Sequence, residues 1–187
     1  MVVFLYICFM KNFVTIISIF IGSFLFSQDL DSLTFSYINQ YRIMNNKKVL
    51  IWSNDLHKTC IKHSNDMITN DTIYHSNGFY SENVGYGKNS GFLITDSYKI
   101  FIKKYYNLTH EDVLNDFNIF CATQTVYGWY ISKSHNKIML SDGKYGAVHV
   151  EVKNLTKKNN IIFNRELFKG AGPFYYKATV AQTFQMK

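Results

Sequence analysis

The spacing of apolar residues changes once along this chain, and the change limits the folds open to it. Up to Ser132 the apolar positions recur at helical intervals. In AVHVEVKN (147–154) they alternate instead, with Val148, Val150 and Val152 on one side and His149 and Glu151 on the other. That period of two marks a half-buried strand. FYYKATVAQTFQ (174–185) reads as a second, final strand. Helices first and a closing strand pair predict an α+β domain whose antiparallel sheet is covered by helices. A chain of 187 residues holds one such domain and a leader.

The helical part divides into segments. DSLTFSYINQYRIMN (31–45) puts Leu33, Tyr37, Tyr41 and Met44 on one stripe, with Asp31 or Ser32 as the cap. SNDLHKTCIKHSNDMI (53–68) repeats the pattern through Leu56, Cys60, His63 and Met67, with Ser53 or Asn54 as the cap. On that wheel His57 and Lys58 face outward, and His63 is a core histidine. FLITDSYKIFIKKYY, within 92–107, reads as a further helix. Thr109 with Asp112 three residues on matches a capping box. Val113, Phe117, Phe120, Val126 and Trp129 then give an apolar face over two helical pieces. KIML (137–140) reads as a strand fragment followed by a turn, and 157–160 as a polar turn. Residues 70–91, rich in Gly, Ser and Asn, read as loop.

Residues 1–27 read as an export signal. Met10-Lys11-Asn12 is a short basic region, FVTIISIFIGSFLF follows, and small Ser27 precedes a cut before Gln28. Met10 is then the candidate true start, and residues 28–187 form the domain. The apolar stretch falls short of the roughly twenty residues that span a bilayer, so cleavage is favoured over anchoring. The expectation is a secreted protein, extracellular or periplasmic. Cys8 leaves with the leader. Cys60 and Cys121 remain, open either to a disulfide in an exported chain or to burial as small hydrophobes. A net charge of +7 favours anionic surfaces. The lysine doublets at 47–48, 103–104 and 157–158 are dispersed and no reading motif accompanies them, so nucleic acid is not an expected partner.

The loop contains YHSNGFYSENVGYG (74–87), which sets His75 and Ser76 close to Glu82 and Asn83. It belongs to an ordered set of landmarks: Asn39 and Arg42 in NQYR, Leu50, Trp52 and Leu56 in LIWSNDL, His63 and Met67, His75, Glu82 and Asn83, then Trp129, Ser132, His135 and Leu140 in WYISKSHNKIML. YGAVHVEV and the aromatic final strand follow. The set resembles the CAP superfamily, or SCP domain, in its secreted bacterial form, over most of 33–187.

The resemblance implies an α-β-α sandwich with a central, mostly antiparallel sheet. It also implies a cleft where His75, Glu82 and His135 converge as candidate metal ligands. Two imidazoles and a carboxylate suit zinc. This sequence departs from the pattern in three places. No second glutamate follows Trp129, Ser81 replaces the usual glycine before Glu82, and Lys133-Ser134 replaces Pro-Gly before His135. The expected role is an extracellular binding module, for small apolar ligands such as sterols or lipids or for envelope and host surfaces. The alternative is a secreted hydrolase using the same cleft. No G-x-S-x-G turn or H-E-x-x-H helix supports catalysis, although Ser76 and Ser132 lie near the two histidines in sequence.

Overall fold

The computed structural model describes residues 29–78, 81–92, 94–161 and 174–187. The export signal read at 1–27 lies outside the described residues. The order is α1 (Leu30–Met44), β1 (Ile51–Trp52), α2 (Asn54–Asn70), β2 (Ser81–Phe92), α3 (Asp96–Tyr106), α4 (His110–Asn115), α5 (Phe117–Ile131), α6 (Lys133–Met139), β3 (Tyr145–Ile161) and β4 (Phe174–Met186). The strands form one four-stranded sheet in the order β1-β3-β4-β2. The pairs β3/β4 and β4/β2 are antiparallel, and two-residue β1 runs parallel to the start of β3.

Helices cover both faces. On one, among the described residues, lies α2, seating Leu56 and Cys60 against Ala147, and Met67 against Val84 and Ala181. The other face, carrying Val148, Val150, Val180 and Phe184, holds the main core with Phe35, Ile38 and Tyr41 of α1 and Phe120 and Trp129 of α5. Helix α3 adds an aromatic corner there: Phe101 lies 4.7 Å from Tyr130 and 5.0 Å from Tyr105, centroid to centroid. This is the α+β sandwich expected.

Several local expectations hold for the reasons given. Leu56, Cys60, His63 and Met67 are all buried, and Ser53 caps α2 by accepting the Leu56 N–H. Thr109 and Asp112 form the capping box of α4. Val148 and Val150 are buried, whereas His149 and Glu151 lie on the α2 side of the sheet.

Other expectations are corrected. Asp29, not Asp31 or Ser32, caps α1. Its buried stripe runs through Phe35, Ile38, Tyr41 and Arg42, leaving Met44 exposed, because two charged residues, Asp31 and Arg42, find partners inside. The loop read over 70–91 ends at Ser81. Glu82 and Asn83 lie in β2, whose Gly, Ser and Asn are held extended by pairing with β4. KIML belongs to α6 and not to a strand, since a short apolar run fits either period. The backbone of 157–160 continues β3 instead of turning. Cys60 and Cys121 are both buried and free, in separate clusters, so the hydrophobe reading stands and the disulfide does not.

Two polar side chains fix the frame. Asn39 treats Leu50 as a strand neighbour would, donating to its carbonyl at 3.0 Å and accepting its N–H at 2.8 Å. Arg42, fully buried, donates to the carbonyls of Lys48, Met139 and Ser141. It thereby joins the end of α1 to the end of α6, supplying a cation to carbonyls that the helix leaves free. Burial holds its pKa below the ordinary arginine value, against a smaller upward pull from Asp142. Arg42→Ala strands those carbonyls, and a loss of about 3 kcal/mol is expected in urea unfolding. A loss under about 1 kcal/mol would deny Arg42 this role.

Candidate functional site

Glu82 is the centre of the site because the register turns it toward α2. It lies opposite Gln185, and Gln185 lies opposite Ala147, so all three side chains share one face. Burial alone would raise the Glu82 pKa. Bonds from Ser76 and Gln185 and the nearby His63 outweigh it, and the carboxyl stays below its ordinary range. Its Oε1 accepts from Ser76 Oγ at 2.6 Å and Gln185 Nε2 at 2.8 Å. Its Oε2 accepts the Ser76 N–H at 2.8 Å and contacts His75 Nδ1 at 3.2 Å. An ionised carboxylate only accepts, so His75 Nδ1 carries a proton, and in the neutral ring Nε2 keeps its lone pair.

Two residues not singled out for this site hold it in place. His63, on α2, donates from Nε2 to the Tyr74 carbonyl at 2.8 Å and sits edge-on to the Tyr74 ring. That bond carries the 72–78 segment across so that His75 and Ser76 meet Glu82. Gln185 accepts from Thr59 and donates to Glu82, so its amide has one orientation. The signal for Gln185 was its place in the β4 alternation, in phase with Ala181 and Thr183. Gly85 and Gly87, in the segment read as loop, lie within β2.

His135, on α6, is tied to β2 through its backbone carbonyl, and its ring makes no hydrogen bond with His75 or Glu82 among the described residues. Asn83, adjacent to Glu82, points to the opposite face and donates to the His135 carbonyl at 3.0 Å. His135 is half-buried. Burial lowers its pKa, and a proton on His75 lowers it further. Asn83 Oδ1 is buried without a hydrogen-bond partner among the described residues. Among the described residues Ser132 Oγ meets Ser134 Oγ at 3.3 Å, and Ser76 gives its hydroxyl to Glu82, so neither serine is set against a histidine. Beside Glu82 opens a pocket of about 410 Å³, lined by Thr59, Lys62, Asp66, Ser76, Asn77 and Gln185 among others.

The family model for CAP, the cysteine-rich secretory protein family, matches residues 35–151. The chain belongs to the CAP family. The matched span contains His75, Glu82 and His135, while Asp31 and Gln185 fall outside it. No curated protein and no solved structure matches the chain.

This CAP domain also brings together a second group, at the opposite edge of the sheet. Asp31 Oδ1 accepts the Val150 N–H at 2.8 Å, and its Oδ2 meets His57 Nε2 and His149 Nδ1, each at 2.7 Å. His149 Nε2 meets Glu151 Oε2 at 3.2 Å. His57 is therefore turned inward onto Asp31 rather than outward, and Glu151 is a partner of His149. Burial alone would raise the Asp31 pKa, but His149 and His57 bring it below the ordinary value. Burial would likewise lower the His149 pKa, and Asp31 and Glu151 raise it instead. The ligand atoms of Asp31, His57 and His149 all lie within 4.8 Å of one another, and the group could hold a metal ion. Sequence reasoning missed it because the three residues come from three distant elements and share no motif.

The cleft geometry fixes a tautomer. Long-range ¹H–¹⁵N spectra are expected to show the neutral form of His75 with its proton on Nδ1, and Glu82→Gln to return that form to the usual Nε2–H mixture. A wild-type His75 already in that mixture would refute the contact.

Proposed function

We propose that this CAP domain is an extracellular binding module that takes ligands in the cleft at the β2 edge. The observation that carries the reading is Glu82. All four of its acceptor positions are taken, one of them by the His75 N–H. A carboxylate so committed acts through the imidazole it orients, leaving Nε2 of His75 and the His135 ring to meet a ligand. Carboxylate-backed histidine is a common support for metal binding. On this reading a divalent ion would be held by His75 and His135, with Glu82 as the positioning group. Bound zinc would present open coordination positions to an oxygen of a ligand.

The adjoining pocket is of ligand size. Its lining sets Lys62, Asp66 and Asn77 beside the rings of His63 and Tyr74, which suits a ligand with both a polar and an apolar part, sterols and lipids with a polar head included. The positive net charge supports action at anionic surfaces. Export rests on the leader reading at 1–27. Among the described residues no helix is long and apolar enough to cross a membrane.

One observation keeps the hydrolase alternative in view: a carboxylate orienting an exposed imidazole is also the way a general base is built. In calorimetry, metal-free protein titrated with zinc is expected to lose one binding phase in the His75→Ala/His135→Ala variant. Identical isotherms from variant and wild type would contradict the cleft site. Ester turnover abolished by His75→Ala would establish the hydrolase instead.

A further inference from the structure

The group at the β3 edge has a build that the cleft lacks. Its three potential ligands come from three elements: Asp31 from the first turn of α1, His57 from the first turn of α2, and His149 from β3. Beyond its two residues, β1 no longer pairs with β3, and the Val150 N–H would face outward at an open edge. Asp31 closes that edge through Oδ1 and gathers both histidines on Oδ2. His149 is held from its far side by Glu151, the carboxylate support typical of ligating histidines. The ring of His57 lies 4.7 Å from that of Trp52, which limits its rotation.

We propose that Asp31, His57 and His149 form a second metal site, selective for zinc-like ions and separate from the cleft. Two imidazoles and one carboxylate match zinc, whereas calcium and magnesium prefer all-oxygen sets. Ligands about 2.1 Å from a tetrahedral ion stand roughly 3.4 Å apart. The Asp31–His57 and Asp31–His149 contacts are 2.7 Å, so small side-chain rotations admit the ion. The ion replaces the two N–H protons directed at Asp31. His57 moves its proton to Nδ1, and the Nδ1 proton of His149 passes to solvent while Nε2–H stays on Glu151. Side chains of His57 and His149 are 21% and 14% exposed, so a fourth ligand can enter from solvent.

The two sites are independent on the molecule. His57 and His63 lie on the same helix about 9 Å apart along its axis, at 1.5 Å per residue. The first serves the β3 edge and the second the β2 edge, with Thr59 and Cys60 between them. Asp31 stands outside the span matched by the CAP family model, and His57 and His149 lie within it. A bound ion would tie α1 and α2 to the free edge of β3.

The test uses the full chain, stripped of metal and then given zinc. With the cleft removed by His75→Ala/His135→Ala, one equivalent is expected to remain bound, and Asp31→Asn in that background should weaken it at least tenfold. Loss of all zinc from the cleft variant, or unchanged affinity on adding Asp31→Asn, would overturn the proposal. If the Asp31→Asn protein does not fold, wild-type spectra decide. The side-chain ¹⁵N signals of His57 and His149 should move on saturation with zinc, and signals that stay in place would overturn the site. A cleft that binds nothing would show instead as unmoved His75 and His135 signals, leaving the β3 result to be read separately.

Discussion

The register of β3, β4 and β2 is the constraint on which the rest of the structure depends. It sets Ala147, Gln185 and Glu82 in one row, and His149, Thr183 and Val84 in the next, all on the face that α2 covers. A slip of one residue would turn Glu82 and His149 to the aromatic face and bury two ionisable groups without partners. The apolar partition opposes such a slip, because Val148, Val150 and Phe184 would then leave the main core. The same hydrophobic pattern that builds the sheet thus aims the polar groups of both edges.

Helix α2 works as a crossbar over that face. Its apolar stripe seats it on Ala147, Val84 and Ala181, and its polar positions reach outward to either side. His57 turns to Asp31 at the β3 edge, Thr59 holds Gln185 near the middle, and His63 pins the segment carrying His75. The helix is therefore both a layer of the fold and the element that orients the functional side chains. Its own buried histidine is structural, and through the Tyr74 carbonyl it sets where a different histidine points.

Much of this was legible in the sequence where one residue type at one period has one meaning. The α2 stripe, the capping box at Thr109 and the valine alternation after Ala147 each follow from local chemistry. The ordered landmarks from Asn39 to Leu140 led to the CAP family and to His75, Glu82 and His135. What stayed hidden depends on partners far along the chain. Glu82 lies in a strand only because β4 supplies hydrogen bonds that a Gly- and Ser-rich segment would not seek alone. Arg42 and Asp31 are buried charges, which no wheel places inside without knowing what awaits them. His57 was read as outward-facing because a wheel shows a helix without its neighbours, and here α1 reaches over to meet it.

The central claim is that Glu82 acts on the cleft through His75 instead of binding the ligand itself. Crystals of the zinc-loaded protein, measured at the zinc absorption edge, test this most directly. The account predicts an anomalous peak at Nε2 of His75 while Nδ1 keeps its bond to Glu82. A peak seated on the Glu82 carboxylate, with His75 displaced from it, would contradict the account.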